Sequence, residues 1–351
     1  MGGSSGSPIH RFMNKEIEQI IEQNYKIGEV LSINLISSGL IHQTYKIKTE
    51  IGDFIFQKLH KSLSSSAIAQ DFFNVTEHLA SVGCTAPRSI RTKADEVTLK
   101  MGDEVWRMQT AIIGETFDRI SNSEIAWEAG KMLAQFHNAL HNFQKPFESD
   151  FVLHNTQKEL QALEESLESS SSELKTDEVL ELGRLILLNA KENLLPIDLP
   201  IWVIHGDPKV SNILFADGKA QAIIDLDTCQ RSSVLLDLGD AFRSWCREGE
   251  GQDSAFSIKL FHDSWRGYRA HAPGLSQVEV GLVLQAIKLI TLELSARFLT
   301  DYFQDFYFSW DSEKFPSRRA HNLERAKGQF ALFKDILKKQ AQIDAILSLP
   351  V

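Results

Sequence analysis

Six polar side chains lie within one apolar-flanked stretch. His205, Asp207, Lys209 and Asn212 follow the apolar run 201–204, and Asp225 and Asp227 follow a second run, 222–224. The order reads strand, polar loop, strand, turn, strand, loop, with Asp217-Gly218 as a hairpin turn signal. A carboxylate beside an attacking hydroxyl can accept its proton, a role that suits Asp207. Hard oxygen ligands hold Mg²⁺ against β- and γ-phosphates, which suits Asn212 and Asp225. An ammonium near a γ-phosphate offsets charge in the transition state, which suits Lys209. Asp227 would bind a second Mg²⁺ or orient the loop. Asp207 and Asn212 are separated by four residues, and Asp225 lies 13 residues beyond Asn212 (225 − 212). That is the spacing of a phosphoryl-transfer loop. Turn formation explains Asp217 but not five polar groups at these intervals between apolar strands.

These groups need elements to position them. Residues 14–23 carry Ile17, Ile20 and Ile21 at helical spacing. Strands follow over 30–37, 44–49 and 54–59. The 37–42 turn, with Ser38 and Gly39, would offer backbone N–H groups to phosphates. Gln57 and Lys58 end the third strand on opposite faces, and alternation does not say which faces a cleft. Ser64-Ser65-Ser66 caps a helix over 67–82. Strands over 97–101 and 105–113 follow, and Gly114 breaks the pattern. The boundary is set there: residues 13–112 as a strand-rich lobe, 113–351 as a mainly helical one. Helices are expected over 123–137, from 235, over 254–270, 276–303 and 322–348. Residues 163–175, with four serines among glutamates, read as a solvated connection. His137 and His141 stand at i, i+4, but no HExxH frame surrounds them, so packing or capping is expected rather than metal binding. The aromatics from Phe298 to Trp310 read mostly as core. Arg297 among them is harder to explain, because a buried arginine needs a carboxylate or a ligand oxygen.

Composition narrows the classes. The 351 residues suffice for two lobes and a large core, at 43% hydrophobic and 24% charged. A formal net charge of −10 argues against nucleic acid or an anionic membrane as the main partner. Cys84, Cys229 and Cys246 are far apart with no CxxC pair, which fits a reducing compartment and excludes a cysteine zinc knuckle. No apolar run approaches the roughly 20 residues of a membrane span. Residues 1–12 read as an expression leader with Met13 as the native start, and no signal peptide is visible, so a cytoplasmic protein is expected.

His205-Gly-Asp-Pro-Lys-Val-Ser-Asn212 with Ile224-Asp-Leu-Asp227 resembles the aminoglycoside phosphotransferase/choline kinase superfamily, which has the protein-kinase-like fold. Ser38-Gly-Leu-Ile-His42, Phe56-Gln-Lys-Leu59, Leu238-Gly-Asp-Ala-Phe-Arg243, Arg297-Phe-Leu-Thr-Asp-Tyr302 and His321-Asn-Leu-Glu-Arg-Ala326 narrow the resemblance to its N-acetylhexosamine 1-kinase-like branch. It covers residues 31–336. The resemblance implies an α+β bilobal fold: an antiparallel sheet lobe with one helix, then a larger helical lobe. It implies transfer of the γ-phosphate of ATP, with Mg²⁺, to a small-molecule hydroxyl, the anomeric hydroxyl of an N-acetylated hexose included. It places the base on Asp207 and metal ligands on Asn212 and Asp225, while Lys209 and Asp227 keep the roles read from the residues themselves. Nucleotide contacts fall on Ser38, Gly39, Gln57 and Lys58. The 108–113 connection, with Gln109, Ala111 and Ile113, would read adenine. Asp71 or Glu77 is expected to pair with Lys58. Acceptor contacts fall on Asp207, His42, Arg243, Arg297 and Tyr307. A monomer or homodimer is expected. Other acceptors (aminoglycoside, choline, homoserine), an inactive nucleotide-binding protein and a metal-dependent hydrolase remain as alternatives.

Overall fold

The computed structural model describes residues 8–36, 42–272 and 274–350. The chain forms two compact units, Met1–Ile113 with Gln144–Asp150, and Gly114–Phe143 with Phe151–Val351.

The first unit is built on helix α1 (Pro8–Asn24) and strands β1 (Val30–Ile36), β2 (Gln43–Thr49) and β3 (Asp53–Lys58). Helix α2 (Ser66–Ser81), β4 (Ser89–Ile90), β5 (Leu99–Met101) and β6 (Glu104–Thr110) complete it. The strands form an antiparallel sheet in the order β1-β2-β3-β6-β4, with β5 on β6. One face buries Tyr45, Ile47, Phe56, Trp106 and Met108 against Ile17 and Ile21 of α1. On α2, Phe72 is buried and the Arg107 guanidinium stacks 3.7 Å above its ring. Helix α1 begins at Pro8, so residues 8–12, read as leader, continue the helix expected from Asn14. The return of 144–150 to this unit was not legible in the sequence. Its cause is α2: the Asp71 carboxylate accepts the N–H groups of Glu148 (2.7 Å) and Ser149 (2.9 Å), and Lys145 Nζ donates to Asn74 Oδ1 (3.1 Å).

The second unit contains α3 (Ser123–Leu140), α4 (Thr156–Ser169), α5 (Asp177–Glu192), β7 (Trp202–Ile204), β8 (Ile213–Ala216), β9 (Lys219–Ile223) and β10 (Gln230–Ser232). After these come α6 (Val234–Trp245), β11 (Arg247–Glu248), β12 (Ala255–Phe256), α7 (Ile258–Arg269), α8 (Gln277–Gln304) and α9 (Arg318–Leu347). Helix α8 is its axis. Leu292, Ala296, Leu299 and Phe303 pack with Leu163 of α4, Ile186 of α5 and Phe333 of α9. That burial corrects the expectation for 163–175: Leu163 is fully buried, residues through Ser169 are helical, and the connection after them is a short segment with a 3₁₀ turn at Ser172–Leu174. Glycines let α3 and α7 touch backbone to backbone: a Cβ on Gly130 would lie 1.9 Å from the Ser264 carbonyl oxygen, and one on Gly267 2.1 Å from that of Trp127. The fold is thus a mixed α and β chain with an antiparallel N-terminal sheet and a mostly helical remainder. No described helix is long and apolar enough to cross a membrane.

Candidate active site

The loop after β7 is held by side chains at every backbone polar group from His205 to Pro208. The Asp237 carboxylate of α6 accepts the N–H of His205 (2.7 Å, Oδ2) and of Gly206 (2.8 Å, Oδ1). Thr228 Oγ1 donates to the His205 carbonyl (2.8 Å) and His154 Nε2 to the Gly206 carbonyl (2.9 Å). The Asp207 N–H donates to His205 Nδ1 (3.2 Å), while His205 Nε2 donates to the Ile224 carbonyl (2.9 Å). Asn212 Nδ2 donates to the Asp207 carbonyl (2.8 Å), and Trp245 Nε1 to that of Pro208 (2.9 Å). A buried loop with no orphaned backbone group has one low-energy shape. Gly206 has φ +88°, and a Cβ there would lie 2.6 Å from the Thr228 carbonyl oxygen, so only glycine fits.

The Asp207 carboxylate is the centre of this arrangement. Its Oδ2 accepts from Lys209 Nζ (2.6 Å) and Asn212 Nδ2 (3.3 Å). Burial would raise the Asp207 carboxyl, but the Lys209 ammonium overrides it and holds the group below the usual carboxylate range. Burial likewise works against charge on Lys209, and Asp207, with Asp225 and Asp240 behind it, keeps that ammonium above its ordinary value.

Asn212 and Asp225 are brought together by the β8–β9 hairpin. Its turn is Asp217-Gly218, both at positive φ, and its ladder pairs Ile213 with Ile223. One bond further, the Ile224 N–H donates to the Asn212 carbonyl (2.9 Å). Asp225 follows in the left-handed region at φ +64°, and Asp227 is buried.

Behind the loop, Asp237 also accepts from His137 Nε2 (3.0 Å), whose Nδ1 meets the Tyr268 hydroxyl (2.9 Å). Burial opposes charge on Asp237, and the histidine hydrogen bonds keep it below the ordinary range. His137 is therefore a loop support, and His141 lies 5.8 Å from the Trp202 ring. Arg243 bonds Asp240 of its own helix, its Nε 3.1 Å from Oδ1. Arg297 is half-buried, with its guanidinium 5.8 Å from the Tyr307 ring and 5.7 Å from that of Phe308. Among the described residues no carboxylate hydrogen-bonds or ion-pairs with it. The rings are presented by a turn that Asp301 organises, its carboxylate accepting the N–H groups of Phe306, Tyr307 and Phe308 (3.0, 2.8 and 2.9 Å). This corrects the reading of these aromatics as mostly core: Tyr302 and Phe303 are buried, whereas Tyr307 is 56% exposed.

In the first unit, Gln57 lies on the α2 face, accepting from Arg107 (2.9 Å) and donating to Thr44 Oγ1 (3.2 Å). Lys58 is on the other face, paired with Glu104 of β6. Neither expected helix carboxylate reaches it, since Asp71 holds the 148–149 backbone and Glu77 lies 3.4 Å from Arg88. Gln109 is buried, and Ile113 is 87% exposed. The Ala111 N–H donates to the Asp53 carbonyl (3.0 Å). His42 is buried, with Nδ1 accepting from the His60 N–H (3.0 Å). Ser38 and Gly39 lie outside the described residues.

The sequence reading missed His154, Asp237 and Glu293. Asp237 lies in the helix expected from 235, near its start. Its spacing with Asp240 and Arg243 on one helix was the signal that something faces the loop. His154 had no local signal.

The profile of the phosphotransferase enzyme family matches residues 32–273. A homoserine kinase of Methylorubrum populi is 24% identical over 261 residues, covering 74% of this chain and 79% of that protein. Amicoumacin kinase hAmiN, solved with AMP-PNP, Ca²⁺ and Ami, superposes with a TM-score of 0.64 at 13% identity, covering 94% of this chain and 95% of that one. A microcompartment-associated aminopropanol kinase gives 0.64 at 15% identity, covering 94% and 99%.

Proposed function

The chain belongs to the phosphotransferase enzyme family, and from that premise we propose that it is an ATP- and Mg²⁺-dependent kinase that phosphorylates a hydroxyl of a small polar metabolite. The observation that carries the reading is the Asp207 carboxylate: Lys209 and Asn212 both occupy Oδ2, on a loop whose backbone is fully bonded. Oδ1 is left for the acceptor hydroxyl, whose proton it takes as the oxygen attacks the γ-phosphorus. Lys209 offsets charge on the transferred group, and the rigid loop sets the attack geometry. The donor set suits a hard cation: Asn212 has its amide nitrogen engaged and its oxygen available, and Asp225 and Asp227 supply carboxylates. Those three residues would hold Mg²⁺, which when bound neutralises charge on the phosphate oxygens. Lys58 and Gln57, together with Ser38 and Gly39, are the proposed nucleotide contacts, and a cytoplasmic location is proposed with them.

For the acceptor, Arg297 with the Tyr307 and Phe308 rings supports an N-acetylated hexose, whose ring would stack on an aromatic face while its carbonyl meets the guanidinium. Arg243 and His42 join the proposed acceptor contacts. A second reading, a hydroxy amino acid such as homoserine, is favoured by the curated relative, and its carboxylate would take the same guanidinium. ATP consumption with N-acetylated hexoses, other sugars, homoserine, aminopropanol, choline and aminoglycosides separates the two. Turnover by Asp207→Asn equal to the parent's with the accepted compound would refute the assignment of the base. A parent melting temperature unmoved by saturating Mg²⁺-ATP would refute nucleotide binding.

A further inference from the structure

We infer that His154 is a positioning residue: its ring, donating from both nitrogens, ties the peptide unit that precedes Asp207 to Glu293, one helical turn before Arg297. The inference rests on the kinase reading above. The Gly206–Asp207 peptide unit is pinned at both ends, its carbonyl by His154 Nε2 (2.9 Å) and its N–H by His205 Nδ1 (3.2 Å). That peptide plane sets the direction in which the Asp207 side chain leaves the chain. Gly206, at φ +88°, has no Cβ to restrict it, so hydrogen bonds must do so.

The other ring nitrogen, Nδ1, lies 2.8 Å from Glu293 Oε1, and the Thr156 hydroxyl donates to the second oxygen of the same carboxylate. Both partners of the ring, a carbonyl and a carboxylate, only accept. A neutral imidazole has one N–H, so the full set of bonds requires the imidazolium. The groups facing it are Glu293 and Arg297 on α8, Asp240 on α6 and Glu159 on α4. Burial acts to remove the proton, yet Glu293, with help from Asp240, holds the ring charged and raises it to about 9. Residues 293 and 297 are i, i+4 neighbours on α8, so the acid that anchors His154 and the guanidinium proposed to meet the acceptor share one rigid face. The proton acceptor and the acceptor's anchor are thereby held as one piece.

The test uses the full chain with the compound accepted in the panel, and the variants His154→Leu, His154→Gln and Glu293→Gln. A misplaced base costs rate rather than nucleotide affinity. His154→Leu is expected to lower kcat about tenfold to a hundredfold, with an unchanged thermal shift by Mg²⁺-ATP. His154→Gln, whose amide can still donate to the Gly206 carbonyl, recovers most of kcat below pH 8. The parent's kcat falls as pH rises through about 9, where the ring loses the proton it shares, and that limb is absent in His154→Gln. A kcat for His154→Leu within twofold of the parent, or an alkaline limb that persists in His154→Gln, overturns the inference. If no compound in the panel is turned over, the kinase reading fails separately. Amide exchange of the 203–209 segment then decides the inference, being faster in His154→Leu if it holds and unchanged if it does not. Should the leucine variant not fold, the glutamine variant carries both the rate and the exchange measurements.

Discussion

The two oxygens of Asp207 have different neighbours, and that difference is where its chemistry begins. Oδ2 carries Lys209 and Asn212, while Oδ1 has no partner among the described residues. A carboxylate held below its usual range is a weak base in the ground state. In a loose phosphoryl-transfer transition state it needs only to receive a proton that the attacking hydroxyl is already losing. Lys209 stabilises ionised Asp207, and in the proposed reaction it would also offset charge on the phosphoryl side. Lys209→Met is expected to lower kcat by about 10²- to 10³-fold. It should also move the acid limb of the kcat/KM profile to higher pH, because removing the ammonium takes away the main charge that opposes burial and leaves only His205 and Arg243 against it. An acid limb that stays in place would show that Lys209 does not set the ionisation of Asp207. Asp207→Asn keeps an acceptor oxygen for Lys209 but cannot take a proton, and kcat should fall about 10²- to 10⁴-fold with folding retained.

The elements matter through the few places where they hand groups to the loop. Strand β7 delivers the loop, the β8–β9 hairpin folds back so that the Ile224 N–H, just before Asp225, bonds the Asn212 carbonyl, and α6 supplies Asp237 and Trp245. Gly206 is the point at which these constraints leave no room. Gly206→Ala places a Cβ 2.6 Å from the Thr228 carbonyl oxygen and forces an L-residue to φ +88°. Urea unfolding should show about 1–3 kcal/mol of destabilisation, and kcat should fall with it, because the loop must shift to fit the methyl group. Full stability with lost activity would instead place the strain in the reacting geometry alone. Helix α8 reaches the loop through His154, which bonds Glu293 on one side and the Gly206 carbonyl on the other.

At the scale of the whole molecule, stability against pH follows from the buried charges. Asp207, Asp237 and Glu293 sit below the ordinary carboxylate range, so their contribution is present above an unfolded value of about 4 and is lost as pH falls through their folded values. His154 is raised to about 9, so its contribution is complete below about 6.5 and is lost as pH rises toward 9. The melting temperature should therefore be highest between about pH 5 and 6.5 and decline on both sides, and His154→Gln should flatten the alkaline decline only. A parent curve with no decline toward pH 9 would show that the ring is not held charged. The loop motif, the hairpin turn and the order of strands before helices were legible in the sequence because each rests on neighbours a few residues apart: apolar runs, Asp-Gly turns and fixed spacings. The solvated reading of 163–175 and Asp71 or Glu77 as the partner of Lys58 failed where burial or pairing depends on distant segments, and the core reading of the aromatics after Phe303 failed at a local turn held by one carboxylate. Leu163 is buried by α8, Tyr307 is presented by the Asp301-held turn, and Glu104 reaches Lys58 across the sheet. The sequence by itself determined the family, since the polar atoms of the loop stand at short spacing within the matched region. Only the tertiary structure decided that His154, Glu293 and Asp237 hold them in place. Hydrogen bonds act between groups a few ångströms apart, and these groups come from segments 31 to 139 residues apart along the chain.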